Sequence, residues 1–156
     1  MKFSSLAFVF ACALSASFVA GCDEEAACDP GFEREAGACV DVRLRFVGDW
    51  TVSDTCNASG TDMYNVQIAL DPAVPDGLLI SGFWNAFLAP VSATLSGDAI
   101  TIDRQEPDAD SYFVQGSAVE ATPGTLGANY RITGEDDPTA ILTDICQSTW
   151  TKQEGI

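Results

Sequence analysis

Histidine is absent from all 156 residues. The usual acid–base side chain and commonest metal ligand is therefore missing, and a serine nucleophile has no imidazole to take its proton. Cations are scarce too: seven lysines and arginines stand against 23 acids, a formal net charge of −16. Such a surface repels nucleic acid and anionic lipid and favours solubility, leaving basic proteins or divalent cations as the partners charge alone would draw. No glycine-rich phosphate loop and no Cys-x-x-Cys pair occurs, which removes the usual nucleotide, zinc-ribbon and redox motifs. The acidic runs 106–110 and 135–137 lack the alternating Asp-x-Asp-x-Asp-Gly loop and its distant glutamate, so they read as solvated turns and no metal site is assigned. Nothing singles out two carboxylates for hydrolysis. The expectation is a non-catalytic chain without a cofactor.

What is present begins with Met1-Lys2 and an apolar run from Phe3 to Val19, softened by Ser4, Ser5, Ser15 and Ser17. The run has the length of a signal peptide's apolar core with its flanks and is marginal for a spanning helix of roughly 20 residues. Val19-Ala20-Gly21-Cys22 closes it and the acidic Asp23-Glu24-Glu25 follows. A small-residue pair before a cysteine at that point resembles a bacterial lipobox. The resemblance implies cleavage after Gly21, acylation of Cys22 (palmitate among its chains) and a membrane anchor, where a retained helix would need no Gly-Cys pair. Two or three acyl chains hold firmly where one does not. Losing Lys2 with the leader takes the charge from −16 to −17. An acid directly after the cysteine resembles an inner-membrane retention signal in some bacteria and a surface-export signal in others. The expected location is the cell envelope, with the outer membrane or cell surface preferred.

Residues 22–45 form a preface. Pro30-Gly31 and Gly37 mark two reversals between Cys28 and Cys39, so these cysteines can close a small looped hairpin. With Gly31-Phe32 and the trailing Cys39-Val40-Asp41, the segment resembles the last disulfide loop of an EGF-like module, used here as a stapled spacer. Cys12 leaves with the leader and Cys22 takes lipid, so Cys28, Cys39, Cys56 and Cys146 remain. Four cysteines allow three connectivities, and an exported chain makes pairing the default. The pairing adopted is Cys28–Cys39 and Cys56–Cys146.

From Phe46 onward apolar and polar residues alternate in short runs, which is strand periodicity. Phe46, Gly48, Trp50, Val52 and Cys56 lie on one face of the first run; Asp49, Thr51, Ser53 and Thr55 lie on the other. Tyr64, Val66, Ile68 and Leu70 point inward from the second. Asp71-Pro72 and Pro75-Asp76-Gly77 break the chain before a third strand, from Leu78 to near Trp84. Val91, Ala93 and Leu95 mark a fourth, and Ser96-Gly97-Asp98 turns into Ile100 and Ile102. A strand over 112–120, one through Leu126, Ala128, Tyr130 and Ile132, and a last over 140–152 complete the series. Eight consecutive strands with short links predict an all-β, antiparallel, up-and-down barrel over residues 46–156, since closure removes both sheet edges. If the first and last strands pair at Cys56 and Cys146, paired positions sum to 202 and Val52 faces Trp150. That staple spans about 90 residues, for a chain-entropy stabilisation of about 4.5 kcal/mol.

Gly48-Asp49-Trp50 resembles the Gly-x-Trp that opens the first strand of lipocalins, and residues 46–153 resemble the lipocalin-like barrels of bacterial surface lipoproteins. Lipocalins also pack an arginine over that tryptophan; Arg131 points outward by alternation and is not assigned the role. Trp50, Tyr64, Tyr130 and Trp150, with Phe113, are the candidate ligand-lining residues, although a barrel this small is expected to be filled by side chains. Phe83, Trp84 and Phe87 around Asn85 form an aromatic cluster read as a barrel plug, with a hydrophobic lip as the functional alternative. Together these features lead to the expectation of a membrane-anchored, non-catalytic binding or interaction module for a small apolar ligand. The alternative is an acidic inhibitor of a basic envelope enzyme such as a lysozyme or protease.

Overall fold

The computed structural model describes residues 27–134 and 142–153. The apolar leader, Cys22 and the acidic turn at 135–137 lie outside the described residues, as does residue 140, where the last strand was expected to start.

The described residues form ten strands: β1 (Phe32–Glu35), β2 (Ala38–Asp41), β3 (Gly48–Cys56), β4 (Gly60–Leu70), β5 (Gly77–Ser81), β6 (Val91–Ser96), β7 (Ala99–Gln105), β8 (Tyr112–Thr122), β9 (Thr125–Gly134) and β10 (Leu142–Lys152). Strands β3 to β10 close into an antiparallel barrel in chain order, with β10 returning to β3. The closing seam pairs Cys146 with Cys56, Trp150 with Val52 and Lys152 with Trp50, the register in which positions sum to 202. Cys56 and Cys146 are disulfide-bonded across that seam, and Cys28 and Cys39 are bonded within the preface.

Alternation decides what fills the barrel. Trp50 and Val52 of β3, Val66 and Ile68 of β4, Leu126 and Ile132 of β9 and Trp150 of β10 all point inward and are buried. The third barrel strand stops at Ser81, short of Trp84. Gly82, Trp84 and Asn85 all have positive φ (75°, 54° and 51°), which ends the ladder and folds residues 83–85 into a short 3-10 turn across the barrel end. The buried Phe83 ring drops into the interior, edge-on to Tyr130 at 4.8 Å and to Trp150 at 5.8 Å. Phe83 is thus a plug, and the interior around both tryptophans is packed with side chains.

The preface is a two-stranded ribbon, β1 with β2, joined to the barrel through the 3-10 turn Val42–Arg45. Asp41 caps that turn by accepting from Arg43 N–H at 3.0 Å. The Arg43 guanidinium, nearly buried, grips Asp41 with two parallel bonds (Nε to Oδ1 3.0 Å, Nη2 to Oδ2 2.9 Å). Its Nη1 donates to the carbonyls of Val74 and Gly77, clasping the preface onto the link between β4 and β5. The buried guanidinium needs those acceptors, because an unpaired charge there is costly. Trp50 is held below this clasp, its Nε1 donating to Phe46 O at 2.8 Å. The cation above its ring is Lys152, with Nζ 5.8 Å from the centroid, placed there by the seam register. Arg131 is exposed on the outer face.

Candidate functional site

At the barrel end opposite the preface, three loops among the described residues (57–59, 82–90 and 106–111) follow the ends of β3, β5 and β7. The inward face of β3 there carries Asp54, only 2% exposed. The alternation of Trp50, Val52 and Cys56 places position 54 on this face, and a carboxylate in that apolar series is the only mark the site leaves in the sequence of β3.

Two phenols meet Asp54. Tyr64 Oη donates to its Oδ2 at 2.8 Å, and Tyr130 Oη donates to the same oxygen. Burial pushes both phenols far above the ordinary tyrosine value, and the adjacent carboxylate adds to the effect; both therefore stay protonated donors throughout the physiological range. Tyr130 reaches this position because β8 presses close to β9 at Gly116, where an added Cβ would lie 2.5 Å from Tyr130 Cβ and 2.5 Å from Asn129 O. The remaining oxygen, Asp54 Oδ1, is buried and has no hydrogen-bond partner among the described residues. Leaving a buried acceptor unsatisfied costs about 1–3 kcal/mol, more when it is charged.

Asp54 lines a cavity of about 280 Å³ with Cys56, Ser59, Thr61, Asp62, Tyr64, Trp84 and Ala86. Trp84 forms its lip. Its backbone N–H donates to Tyr64 Oη at 3.2 Å, while its half-buried indole stacks obliquely near Phe87 and Tyr112. A left-handed φ in a residue this bulky is strained, and strain of that kind collects at binding sites. The cavity floor is firm. Asp144 is buried, which alone would raise its pKa, but Ser59 Oγ and the N–H groups of Ala58 and Ser59 outweigh that and hold it below the usual carboxylate range. The loop 57–59, which also contains a glycosylation-like Asn-Ala-Ser, is thereby a fixed turn. The acidic loop 106–110 is likewise engaged: Asp108 accepts from Leu88 and Ala89 N–H at 2.8 and 2.7 Å, which anchors the loop beside Trp84.

Of the four ligand-lining candidates, Tyr64 borders this cavity and Tyr130 supports it from behind. Trp50 and Trp150 sit in the packed interior at 0% and 1% exposure. Phe113 packs under Arg104 instead, with the guanidinium carbon 3.7 Å from the ring centre. A larger groove of about 390 Å³ lies on the outer wall between Asp49, Asn65, Gln67, Ser81 and Gln153, but Gln153 already bonds Asn65 and Thr51 there. Cys56, Asp144 and Cys146 come within 4.8 Å of one another; their sulfurs are joined in the disulfide and are not metal ligands.

Fold and site define a closed eight-stranded antiparallel barrel with an acidic, aromatic-walled mouth at one end. No protein-family model matches the sequence, and no curated protein does. In fold the chain is similar to EF1p2_mFAP2b in its structure bound to DFHBI, at 17% identity over 70% of this chain and 95% of that one, with a TM-score of 0.51. A redesigned β-barrel, b11L5F_LGL, is similar at 19% identity over 71% and 94%, with a TM-score of 0.49.

Proposed function

We propose that this protein is a non-catalytic binding module of the bacterial cell envelope, tethered by acylated Cys22, that takes a small ligand at the Asp54 mouth. The observation that carries the binding role is Asp54 itself, which lines the cavity and whose buried Oδ1 has no hydrogen-bond partner among the described residues. A filled core gains nothing from an orphan acceptor, whereas a site that awaits a donor does. The barrel architecture is compatible with this reading, since EF1p2_mFAP2b, of similar fold, is bound to DFHBI. Anchoring rests on Val19-Ala20-Gly21-Cys22 at the end of the apolar leader. The preface docks on the links at the opposite end from the mouth, and a nine-residue strand such as β3 separates the two by roughly 25 Å. The alternative, an acidic inhibitor of a basic envelope enzyme such as a lysozyme or protease, is supported by the net charge of −16.

Two measurements test the proposal. Cells fed labelled palmitate should yield labelled protein lacking residues 1–21; unlabelled protein with its leader attached would refute the anchor. A fragment screen by protein-observed NMR should find compounds that shift Trp84, Thr61 and Asp62 together and leave the Trp50 and Trp150 indoles in place. Shifts confined to other surfaces would refute the site.

A further inference from the structure

Resting on that binding reading, we infer that the mouth cavity selects a small organic cation: an ammonium group bearing N–H on a compact apolar or aromatic body, with the Asp54 carboxylate as its counter-ion. Asp54 is an acceptor-only group when ionised, and Tyr64 and Tyr130 both donate to Oδ2. What completes Oδ1 must bring a donor.

Charge decides between a neutral donor and a cation. Asp62 stands directly opposite Asp54 across the β3–β4 ladder and borders the same cavity. Like charges facing each other across an antiparallel pair repel. A hydroxyl satisfies Oδ1 and leaves that repulsion in place; an ammonium relieves both. A carboxylate ligand adds a third negative charge and is excluded. The chain's net charge of −16 acts in the same sense over longer range, concentrating cations near the mouth.

The walls fix the body of the ligand. Tyr64 and Trp84 offer aromatic rings that attract cations and cover apolar groups, Ala86 adds a methyl, and Thr61 brings a hydroxyl, that of Ser59 being donated to Asp144. A volume of about 280 Å³ exceeds the needs of a bare metal ion and falls just below the ~300–1,000 Å³ of common ligand pockets. The nearby sulfurs are sealed in the Cys56–Cys146 bond and Asp144 is committed to Ser59 and Ala58, so they compete for neither ion nor amine.

The test compares three nearly isosteric probes, benzylamine, benzyl alcohol and benzoate, titrated at fixed ionic strength into the full chain as purified from producing cells, with NMR shifts of Trp84, Thr61 and Asp62 as readout. Benzylamine should saturate these signals at least tenfold more tightly than benzyl alcohol, and benzoate should not saturate them. Asp54→Asn should weaken benzylamine at least tenfold and leave benzyl alcohol unchanged. Asp62→Asn, at the exposed rim, should weaken benzylamine at least threefold, which keeps the test valid should the Asp54 variant fold poorly. Equal affinity for amine and alcohol at these signals would overturn the cation assignment while sparing the cavity; no response to any probe would overturn both. Calcium chloride displacing benzylamine at lower concentration than benzylamine itself would assign the mouth to a metal instead. Unsaturable benzylamine shifts spread over the acidic surface would also overturn the inference.

Discussion

Replacing both Cys56 and Cys146 with alanine removes the staple across the barrel's closing seam while leaving its seven paired positions. The bond closes a loop with a sequence separation of 90, so restoring the denatured chain's freedom lowers stability by about 4.5 kcal/mol in the chain-entropy account, an upper figure because residual denatured-state structure reduces it. With a urea m-value of about 2 kcal/mol/M, the midpoint falls by roughly 2 M. The Cys28–Cys39 bond gives the contrast. Its separation is 11, for about 2.8 kcal/mol in the same account, and it constrains a ribbon whose strands contribute nothing to the barrel core. Cys28→Ala/Cys39→Ala should therefore ease opening of the ribbon and leave the barrel midpoint within about 0.5 kcal/mol of its starting value, as expected for sites outside the cooperative core. Urea unfolding followed by tryptophan fluorescence reads the barrel; hydrogen exchange reads the ribbon. A seam variant within 1 kcal/mol of the parent, or a ribbon variant that loses as much as the seam variant, would refute the reasoning.

Arg43→Met leaves the part-buried Asp41 without its cation and removes the guanidinium's bonds to the Val74 and Gly77 carbonyls; it should destabilise docking of the preface by about 3 kcal/mol, seen as earlier protease cleavage within residues 28–45. Gly116→Ala forces β8 away from Tyr130 and should lower global stability by about 2–3 kcal/mol, while weakening binding at the mouth by displacing the Tyr130 phenol. Because burial raises the pKa of Tyr64 and Tyr130 in the fold, their protons stay on while the unfolded chain loses its own near pH 10. Their contribution is intact below pH 10 and is lost as pH rises beyond it, by up to about 2.7 kcal/mol per pH unit for the two together. Urea midpoints that stay level from pH 10 to 11.5 would contradict that burial.

The barrel was legible because alternation is a local signal and closure left a second trace. Val52 and Trp150 fell opposite each other once Cys56 and Cys146 were paired, and the structure has that register. The end of the third strand was misplaced because Leu78-Leu79-Ile80 runs toward Phe83 and Trp84 without a proline; the break is made by the positive φ values of Gly82, Trp84 and Asn85, which nothing in a hydrophobic pattern records. The cation over Trp50 was sought among arginines, yet the seam register brings Lys152 there. Asp54 was missed for a different reason. Its place on the inward face follows from counting by twos, but its partners lie 10 and 76 residues away; the β3–β4 hairpin supplies Tyr64, and only closure of the barrel brings Tyr130. The two tryptophans looked like a ligand lining because aromatic residues serve cores and sites alike; Phe83 inserting beside Trp150 places it in the core.

The most direct measurement is the thermal midpoint of Asp54→Asn with and without benzylamine. Asparagine keeps an acceptor for the two phenols and exchanges the orphan oxygen for a donor, so a binding role predicts an unchanged or raised midpoint and no further rise on adding benzylamine, where the parent rises with concentration. A midpoint lowered by several kcal/mol of lost stability, with the benzylamine response kept, would show Asp54 to be a structural group that amine binding does not use.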